Sequence, residues 1–193
     1  TDTVEVILNA TLPIANAGNA ENFDCVTTEI ELDGQNSSQG NHTYIWTAVE
    51  GNILNGENTL TPGIDTAGIY VLEVTDTLNS CVSTDTIVVE ENYDLPIADA
   101  GTNLEIPCHP DTLELNGSNS SQGINFEYNW ITSNGNIVNG TMDLIAEINA
   151  TGNYILEVTD TENGCTTTSE VQVLQSNNPT LSIDNQTDVD CNG

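Results

Sequence analysis

Short runs of alternating or β-branched apolar residues, separated by turn residues, recur along the whole chain. Clear examples are residues 69–76 and 84–89, which have the pattern of strands with one buried face. Asn-Gly, Asp-Gly and Thr-Pro-Gly sequences punctuate these runs and indicate tight turns. A helical period is not sustained for ten residues anywhere. The pattern therefore predicts an all-β chain.

The strand pattern of the first ninety residues is that of a β-sandwich. About seven short strands with turns between them are typical of an immunoglobulin-like sandwich. The predicted strands lie near residues 12–17, 27–33, 42–48, 52–54, 59–64, 69–76 and 82–90.

The same motifs then occur a second time, which is the signature of a repeat protein. The first two motifs below recur at an offset of 83 residues and the last two at 84. The matching pairs are residues 12–15 and 95–98, 37–40 and 120–123, Trp46 and Trp130, and 70–77 and 154–161.

This period predicts the domain organisation. We expect two whole repeats, at residues 12–94 and 95–178, in a longer parent chain. Residues 1–11 match the last strand of a repeat, and 179–193 match the start of another. The short join around Glu90 and Asp94 predicts a fairly stiff connection.

The two tryptophans are predicted to fill the sandwich cores. Trp46 and Trp130 occupy equivalent places in the third strand of each repeat, where a large indole side chain contributes much apolar area. The alternative is a tryptophan that stacks on a sugar, which requires an exposed ring.

The charge of the chain restricts its partners. The sequence has 30 Asp and Glu residues and no Lys or Arg, for a formal net charge of −30, whereas a chain of this length ordinarily carries about twenty basic residues. Each carboxylate must be satisfied by water, a hydrogen-bond donor or a metal cation. Nucleic acid and anionic membrane surfaces are excluded as partners, because both require cationic side chains. No run of eighteen apolar residues is present, so we expect no membrane insertion.

Five cysteines follow the repeat. Each repeat has one early and one late cysteine, which predicts the bridges Cys25–Cys81 and Cys108–Cys165, while Cys191 pairs with a residue outside this sequence. Each bridge is expected to contribute about 2–4 kcal/mol. Zinc binding is the alternative, but no Cys-x-x-Cys spacing occurs. Persistent disulfides predict an extracellular location.

Several motifs of the repeats resemble the PKD (polycystic kidney disease) domain pattern. The family pattern has a Pro-x-Ala-x-Ala-Gly opening, a Leu-x-Gly-Ser strand, a Tyr-x-Trp strand and a Gly-x-Tyr…Val-x-Asp strand. The matching residues of the second repeat are 95–101, 113–118, 128–130, 152–154 and 158–160, and those of the first are 13–18, 32–34, 44–46 and 68–76. The resemblance implies tandem PKD-like β-sandwiches.

The late cysteine after Val-Thr-Asp-Thr and the closing residues 190–193 resemble repeats of giant surface adhesins of gliding-type Bacteroidota. That resemblance implies adhesion or filament building at the cell surface. It also implies O-glycosylation at Asp-Thr-apolar sequences, for which the candidate sites are Thr3, Thr66, Thr77, Thr86 and Thr112. Asn-x-Ser/Thr sequons, for example at Asn36, Asn41 and Asn149, matter only in a host that N-glycosylates.

Calcium is the one cofactor that the sequence favours, because it prefers carboxylate and carbonyl oxygens. No Asp-x-Asp-x-Asp-Gly loop is present, so the candidate ligands are acidic residues near the join of the repeats and in the late turns. They are Glu90, Glu91, Asp94, Asp99, Asp76 and Asp160. The alternative is diffuse screening by ambient salt.

The sequence predicts a protein that is not an enzyme. It offers no Lys or Arg to stabilise an oxyanion, and His42 and His109 do not occupy equivalent places. The favoured hypothesis is an extracellular structural or adhesive repeat protein, part of a long filament whose partners are copies of itself, surface glycans or other cells. The alternative is a carbohydrate-binding or spacer module of a large secreted hydrolase, which predicts exposed aromatic side chains.

Overall fold

The computed structural model describes residues 2, 4, 10–19, 21–107 and 112–176. The chain divides into two compact units, Thr1–Tyr93 and Asp94–Gly193. Within the described ranges every regular element is a β-strand. The all-β, immunoglobulin-like fold predicted from the strand pattern is thereby confirmed.

The first unit is a sandwich of two three-stranded sheets. One sheet has the order β2-β5-β4 and the other β3-β6-β7, and β1 pairs with β8 in parallel beside them. The strands are β1 (Phe23–Asp24), β2 (Ile30–Glu31), β3 (His42–Glu50), β4 (Ile53–Asn55), β5 (Gly63–Ile64), β6 (Gly68–Asp76), β7 (Val82–Val89) and β8 (Glu91–Asn92).

The second unit repeats this plan. One sheet has the order β10-β13-β12, and the other is β11-β14-β15-β9, in which β9 lies parallel to β15. The strands are β9 (Leu104–Ile106), β10 (Leu113–Asn116), β11 (Phe126–Thr132), β12 (Ile137–Asn139), β13 (Ile145–Ile148), β14 (Gly152–Asp160) and β15 (Thr166–Gln175).

The long middle strand of each larger sheet supplies much of the core. In β6 every second side chain, Tyr70, Leu72 and Val74, is fully buried, because successive side chains of a strand point to opposite faces. Strand β14 contributes to the second core in the same way, through Tyr154, Leu156 and Val158. Trp46 lies across from Leu72 in the β3–β6 ladder.

The prediction that both tryptophans fill the cores is confirmed. Trp46 is 3% exposed and Trp130 is 2% exposed. Each indole N–H also has an acceptor: Trp46 Nε1 donates to the carbonyl oxygen of Thr59 at 3.1 Å, and Trp130 Nε1 donates to that of Asp143 at 3.0 Å. A buried indole needs such a partner, so the ring is fixed in orientation as well as in depth.

A buried tyrosine fixes a corner of each sandwich, a role that the strand pattern did not predict. The Tyr154 hydroxyl accepts the Asn136 backbone N–H at 3.0 Å and donates to the Ala150 carbonyl at 2.7 Å. Tyr70 makes the equivalent bonds to Asn52 and Thr66. Burial raises the pKa of the Tyr70 hydroxyl above its usual value, with a smaller contribution from the charge of Asp65.

The first predicted strand, residues 12–17, is not a ladder strand. Its backbone N–H groups donate to side-chain oxygens and not to a neighbouring strand. The Ile14 N–H donates to Ser38 Oγ and the Asn16 N–H donates to Ser37 Oγ, both at 2.9 Å. The second unit repeats this with Ser121 and Ser120. The recurring Ser-Ser motif is therefore a clamp for the start of each repeat.

Other predicted strand limits change by a few residues. The strand expected at 27–33 is shorter and corresponds to β2 (Ile30–Glu31). At its predicted start the Thr27 N–H donates to an Asp24 carboxylate oxygen and not to a neighbouring strand. The short parallel strands β1 and β8 were not predicted. The expectations for residues 1–11 and 179–193 fall largely outside the described residues and stay predictions.

Candidate linkage sites at the ends of each sandwich

The early cysteine lies at the end of its sandwich where the chain leaves it. Cys25 follows β1 directly, and β1 pairs with β8, the last strand of the unit, with Asp24 opposite Asn92. Cys25 is exposed. The Asp24 carboxylate accepts backbone N–H groups of Val26 and Thr27 at 3.0 and 2.7 Å, and these bonds hold the pKa of Asp24 below its usual value. The turn that carries Cys25 is thus held in place locally.

The late cysteine lies at the opposite end, where the chain enters its sandwich. The Cys165 N–H donates to Asn163 Oδ1 at 3.0 Å, and Asn163 Nδ2 donates to the Asp94 carbonyl at 2.9 Å. Asp94 is the first residue of the second unit. The same asparagine amide therefore holds the late turn against the start of the repeat.

The first repeat has the same arrangement. The Cys81 N–H donates to Asn79 Oδ1 at 2.8 Å, and Asn79 Nδ2 donates to the Thr11 carbonyl at 3.0 Å. Between the asparagine and the cysteine, Ser80 has a φ of 60°, and the equivalent residue is Gly164 with a φ of 67°. This left-handed residue turns the chain back into the last long strand.

The predicted Cys25–Cys81 bridge is wrong. Cys25 is disulfide-bonded, but Cys81 is a free thiol within the part of the chain that the structure describes. Strand β7 separates them: Cys81 precedes it, whereas Cys25 lies beside Glu91 and Asn92 beyond its far end. Ten residues of strand span about 33 Å, and a disulfide requires Cα atoms about 4.4–6.8 Å apart.

The other predicted cysteines have different outcomes. Cys165 is disulfide-bonded, as predicted. Cys108 and Cys191 lie outside the described residues, so the Cys108–Cys165 bridge and the pairing of Cys191 stay predictions. The sequence period does not indicate at which end of a sandwich each cysteine lies, and the Cys25–Cys81 prediction failed for that reason.

The six candidate calcium ligands are not gathered into one site. Among the described residues no group of three or more His, Cys, Asp or Glu side chains could hold a metal ion. Three of the six cap turns instead: the carboxylates of Asp76, Asp160 and Asp99 accept backbone N–H groups two residues on, at 2.8, 2.9 and 2.8 Å. Glu90, Glu91 and Asp94 are exposed. Calcium binding therefore stays a prediction.

The candidate O-glycosylation sites are accessible where the structure describes them. Thr66, Thr77, Thr86 and Thr112 are exposed, and Thr3 lies outside the described residues. Exposure of the hydroxyl is a requirement for O-glycosylation, which stays a prediction at these residues. The sequon residues Asn36, Asn41 and Asn149 are also exposed.

One of these threonines belongs to a small polar network. Thr66 Oγ1 donates to Asp65 Oδ1, and Asn52 Nδ2 donates to the same oxygen, both at 2.9 Å. The Asn52 amide and then the Thr66 hydroxyl hold the pKa of Asp65 below its usual value. Because the folded-state pKa is lowered, this network stabilises the fold at neutral pH and loses its effect as the pH falls through that value.

Aromatic side chains are mostly internal. All nine aromatic residues lie within the described ranges. Tyr93, at 48% exposure, is the most exposed of their side chains. An open groove on the second unit is lined by Phe126, Tyr128 and Met142 together with three carboxylates. His42 and Asn58 stand at the places of Phe126 and Met142 in the first repeat, so this apolar lining is not a shared feature of the repeats.

None of the described residues forms a helix of the length and apolar character that crossing a bilayer requires.

The chain matches no family model, and no curated protein matches it. Among solved structures, the chain is similar to three N-terminal domains of the highly immunogenic outer capsid protein (Hoc) of bacteriophage RB49. The identity is 15% and the TM-score 0.46, over 84% of this chain and 59% of that one.

Two further structures have comparable likeness. Drosophila OTK extracellular domains 3–5 match with 13% identity and a TM-score of 0.40, over 86% of this chain and 60% of that one. The PKD domain from KIAA 1837 protein matches with 23% identity and a TM-score of 0.35, over 47% of this chain and 97% of that one. The chain thus spans about three fifths of the Hoc and OTK structures. These likenesses concern the fold alone.

Proposed function

We propose that this chain is a section of an extracellular structural or adhesive repeat protein, part of a long cell-surface or secreted filament. The observation that carries the proposal is the repetition itself. Two successive sandwiches keep the same core, the same serine clamp and the same tyrosine corner, while residues lining the surface groove differ between them. A shared frame with variable surfaces suits a load-bearing or contact-making array.

The cysteines and the charge support an extracellular location. Cys25 and Cys165 are disulfide-bonded, and such bonds persist in oxidising compartments outside the cytosol. The chain has no Lys or Arg, so it offers trypsin-like proteases no site after a basic residue. The proposal assigns no catalytic activity to the chain. Its partners are further repeats or copies of itself, and surface glycans or other cells.

The proposal includes the kind of organism from which the protein comes. The PKD-like motifs and the late cysteine after Val-Thr-Asp-Thr resemble the repeats of surface adhesins of gliding-type Bacteroidota. The exposed Asp-Thr sites at Thr66, Thr77 and Thr86 fit the glycosylation that such an origin implies. Intact-mass measurement of native material, before and after chemical deglycosylation, tests this component separately.

Electron microscopy of the native parent protein tests the filament. We expect slender rods with an axial repeat on the order of 40 Å, about the length of a nine-residue strand with its loops. Compact globular particles at all ionic strengths would contradict the proposal.

A carbohydrate-binding or spacer module of a secreted hydrolase is the alternative function. It predicts a flat face of exposed aromatic rings, whereas both tryptophans are buried and Tyr93 is the exposed aromatic side chain. The groove beside Phe126 and Met142 is the feature that favours it most. Specific binding on a glycan array that Met142→Asp abolishes would support this alternative over the filament.

Salt is expected to stabilise the protein. With a formal charge of −30 and no Lys or Arg, repulsion opposes the compact state, and screening lengths fall from about 30 Å at 0.01 M to about 8 Å at 0.15 M salt. We expect the melting temperature to rise by several degrees between these two NaCl concentrations, as measured by differential scanning fluorimetry. A melting temperature independent of NaCl would show that charge repulsion contributes little.

The same measurement separates screening from specific calcium. At fixed ionic strength, specific sites predict a higher melting temperature with Ca²⁺ than with Mg²⁺ and a loss on adding a chelator. Asp76→Asn is the matched variant, because its amide oxygen can still accept the Leu78 N–H that Asp76 accepts at 2.8 Å while the charge is gone. Equal melting temperatures in all conditions would remove calcium from the proposal.

A further inference from the structure

We propose that the open groove on the second unit binds an extended segment of another protein, one in which basic and apolar residues alternate. The segment pairs with the edge strand β11 and adds a strand to that sheet. The proposal goes beyond the filament role and does not depend on it, so the two are tested separately.

Strand β11 lies at the edge of its sheet and has open backbone groups on that side. It is the first strand in the order β11-β14-β15-β9. The Trp130 N–H donates to the Thr141 carbonyl oxygen, away from β14, whereas the Asn125 carbonyl oxygen accepts the N–H of Thr161 at the end of β14, both at 2.7 Å. Because backbone groups of successive residues point to opposite sides of a strand, those of Tyr128 point away from β14, as in Trp130. Among the described residues no hydrogen bond reaches the Tyr128 backbone on that side.

An open edge of this kind accepts an extended peptide. The peptide gains main-chain hydrogen bonds from the edge, and its side chains meet the two faces of the sheet in alternation. The character of each face beside β11 therefore decides which side chains the peptide carries.

The face of the sheet that points away from the core is acidic beside β11. Glu157 lies between the buried residues Leu156 and Val158 of β14, so its side chain points outward. Glu127 points to the same face, because its cross-strand partner Thr159 is two residues from Glu157. Both glutamates line the groove, and no donor among the described residues hydrogen-bonds to either carboxylate. The side chains that the peptide places on this face are therefore basic.

The other side of the groove is apolar. Phe126 and Tyr128 point toward the core side, as the buried Trp130 of the same strand does. Met142 and Leu144, from the segment between β12 and β13, line the groove with them. Met142 is 78% exposed, and its flexible thioether can adapt to an apolar partner. The side chains that the peptide places on this side are therefore apolar.

The groove requires a partner that brings its own positive charges. Asp143 also lines it, with Glu127 and Glu157, and the chain has no Lys or Arg to neutralise these carboxylates. A second copy of this chain lacks those cations as well, so charge complementarity selects a different protein. A single metal ion does not fit, since among the residues that the structure describes no group of three or more His, Cys, Asp or Glu could hold one. Separate cations along an extended segment fit this spacing.

The first repeat has the same open edge without most of this lining. The Trp46 N–H donates to the Glu57 carbonyl oxygen at 2.7 Å, and β3 is the edge strand in the order β3-β6-β7. The binding is therefore expected in the second unit alone, and the first unit is an internal control. His42, Thr43, Asn58 and Thr59 stand at the places of Phe126, Glu127, Met142 and Asp143.

Fluorescence anisotropy with the intact chain tests the binding. The probe is a labelled peptide of about eight residues, a common strand length, in which lysine and valine alternate, and the control peptide has glutamate in place of lysine. We expect saturable binding of the lysine peptide at one site, weaker by on the order of tenfold at high salt than at low salt, and no binding of the glutamate peptide. Equal binding of the two peptides, or no binding of the lysine peptide, would overturn the proposal.

A variant that copies the first repeat tests the location. Phe126→His, Glu127→Thr and Met142→Asn together give the groove the residues of the first repeat, so the sandwich is expected to fold, which tryptophan fluorescence checks. We expect the affinity for the lysine peptide to fall about tenfold or more. Glu170→Thr is the matched control, because it also removes one negative charge, copies Thr86 of the first repeat and lies exposed outside the groove. An equal loss in both variants, or no loss in the groove variant, would contradict the site.

Two N-methylated forms of the lysine peptide test the strand pairing. One form has methyl groups on the lysine backbone nitrogens and the other on those of valine. Because only alternate residues of an added strand point their N–H groups at the edge, one form is expected to lose binding and the other to keep it. The form that loses binding reports the direction of the added strand. Equal affinities of the two forms would show that β11 does not accept a strand.

Spermidine separates a peptide from a simple polycation. It carries positive charges but neither a strand backbone nor apolar side chains, so we expect it to displace the labelled probe far more weakly than the unlabelled lysine peptide does. Displacement by both at the same concentration would show that the groove binds any polycation and would overturn the assignment of a peptide.

Discussion

Replacing Trp130 by alanine is expected to lower the free energy of unfolding of the second unit by about 3–5 kcal/mol. The indole is 2% exposed and lies across from Leu156 in the β11–β14 ladder, so its removal leaves a cavity that the two sheets cannot close. Its Nε1 donor to Asp143 is lost as well. Small domains have about 5–15 kcal/mol of stability in total, so this loss is a large part of it.

Urea denaturation, followed by NMR signals assigned to each unit, measures this effect. Trp130→Phe is the matched control: it keeps one aromatic ring in the core but loses the rest of the indole and its N–H donor, so a smaller loss of about 1–3 kcal/mol is expected. Trp46→Ala should act in the same way on the first unit. An unchanged midpoint for Trp130→Ala would mean that the ring does not support the core.

Gly68→Ala is expected to destabilise the first unit by about 2–5 kcal/mol. Gly68 starts β6 with a φ of 156°, and an added Cβ would collide with the backbone carbonyl of Glu50. Neither partner can move without breaking the ladder between β6 and its neighbours, since Gly68 pairs with Val89.

Gly40→Ala separates the two causes of the expected destabilisation, which are backbone strain at positive φ and the collision of the added Cβ. Gly40 also has a positive φ, 99°, but an added Cβ there meets nothing within 4 Å. Its cost should be limited to backbone strain, of about 1–2 kcal/mol. Equal urea midpoints for the two alanine variants would show that the close approach of Gly68 to Glu50 has no energetic consequence.

Patterns that the sequence repeats could be predicted well. Burial of Trp46 and Trp130 followed from large apolar side chains at equivalent strand positions, and the alternation in residues 69–76 located β6. These features depend on local periodicity, which a single chain displays directly.

Features that depend on long-range pairing could not be predicted. Strands β1 and β8 have two residues each, too few to show an alternation. The segment 12–17 has the composition of a strand, yet its donors bond to Ser37 and Ser38 far along the chain. Side-chain partners of that kind leave no periodic signal.

The candidate linkage sites illustrate the same limit. Cys25 and Cys81 were matched because each repeat carries one early and one late cysteine, but sequence spacing does not say which end of a sandwich a residue occupies. The parallel register of Asp24 with Asn92 supplies that information. The tyrosine corner has a usable signal, the recurring Gly-x-Tyr at Tyr70 and Tyr154, although that pattern alone predicts a strand and not an anchor.

The parallel pairing at the edge of the second unit has a mechanical consequence. Strand β9 runs alongside the end of β15, from Leu104 opposite Val173 to Ile106 opposite Gln175. Tension on the two termini of the unit pulls these strands in opposite directions along their own axes. The hydrogen bonds between β9 and β15 are then loaded in shear and must rupture together. In an antiparallel pair that is peeled from one end, the hydrogen bonds would instead break one at a time.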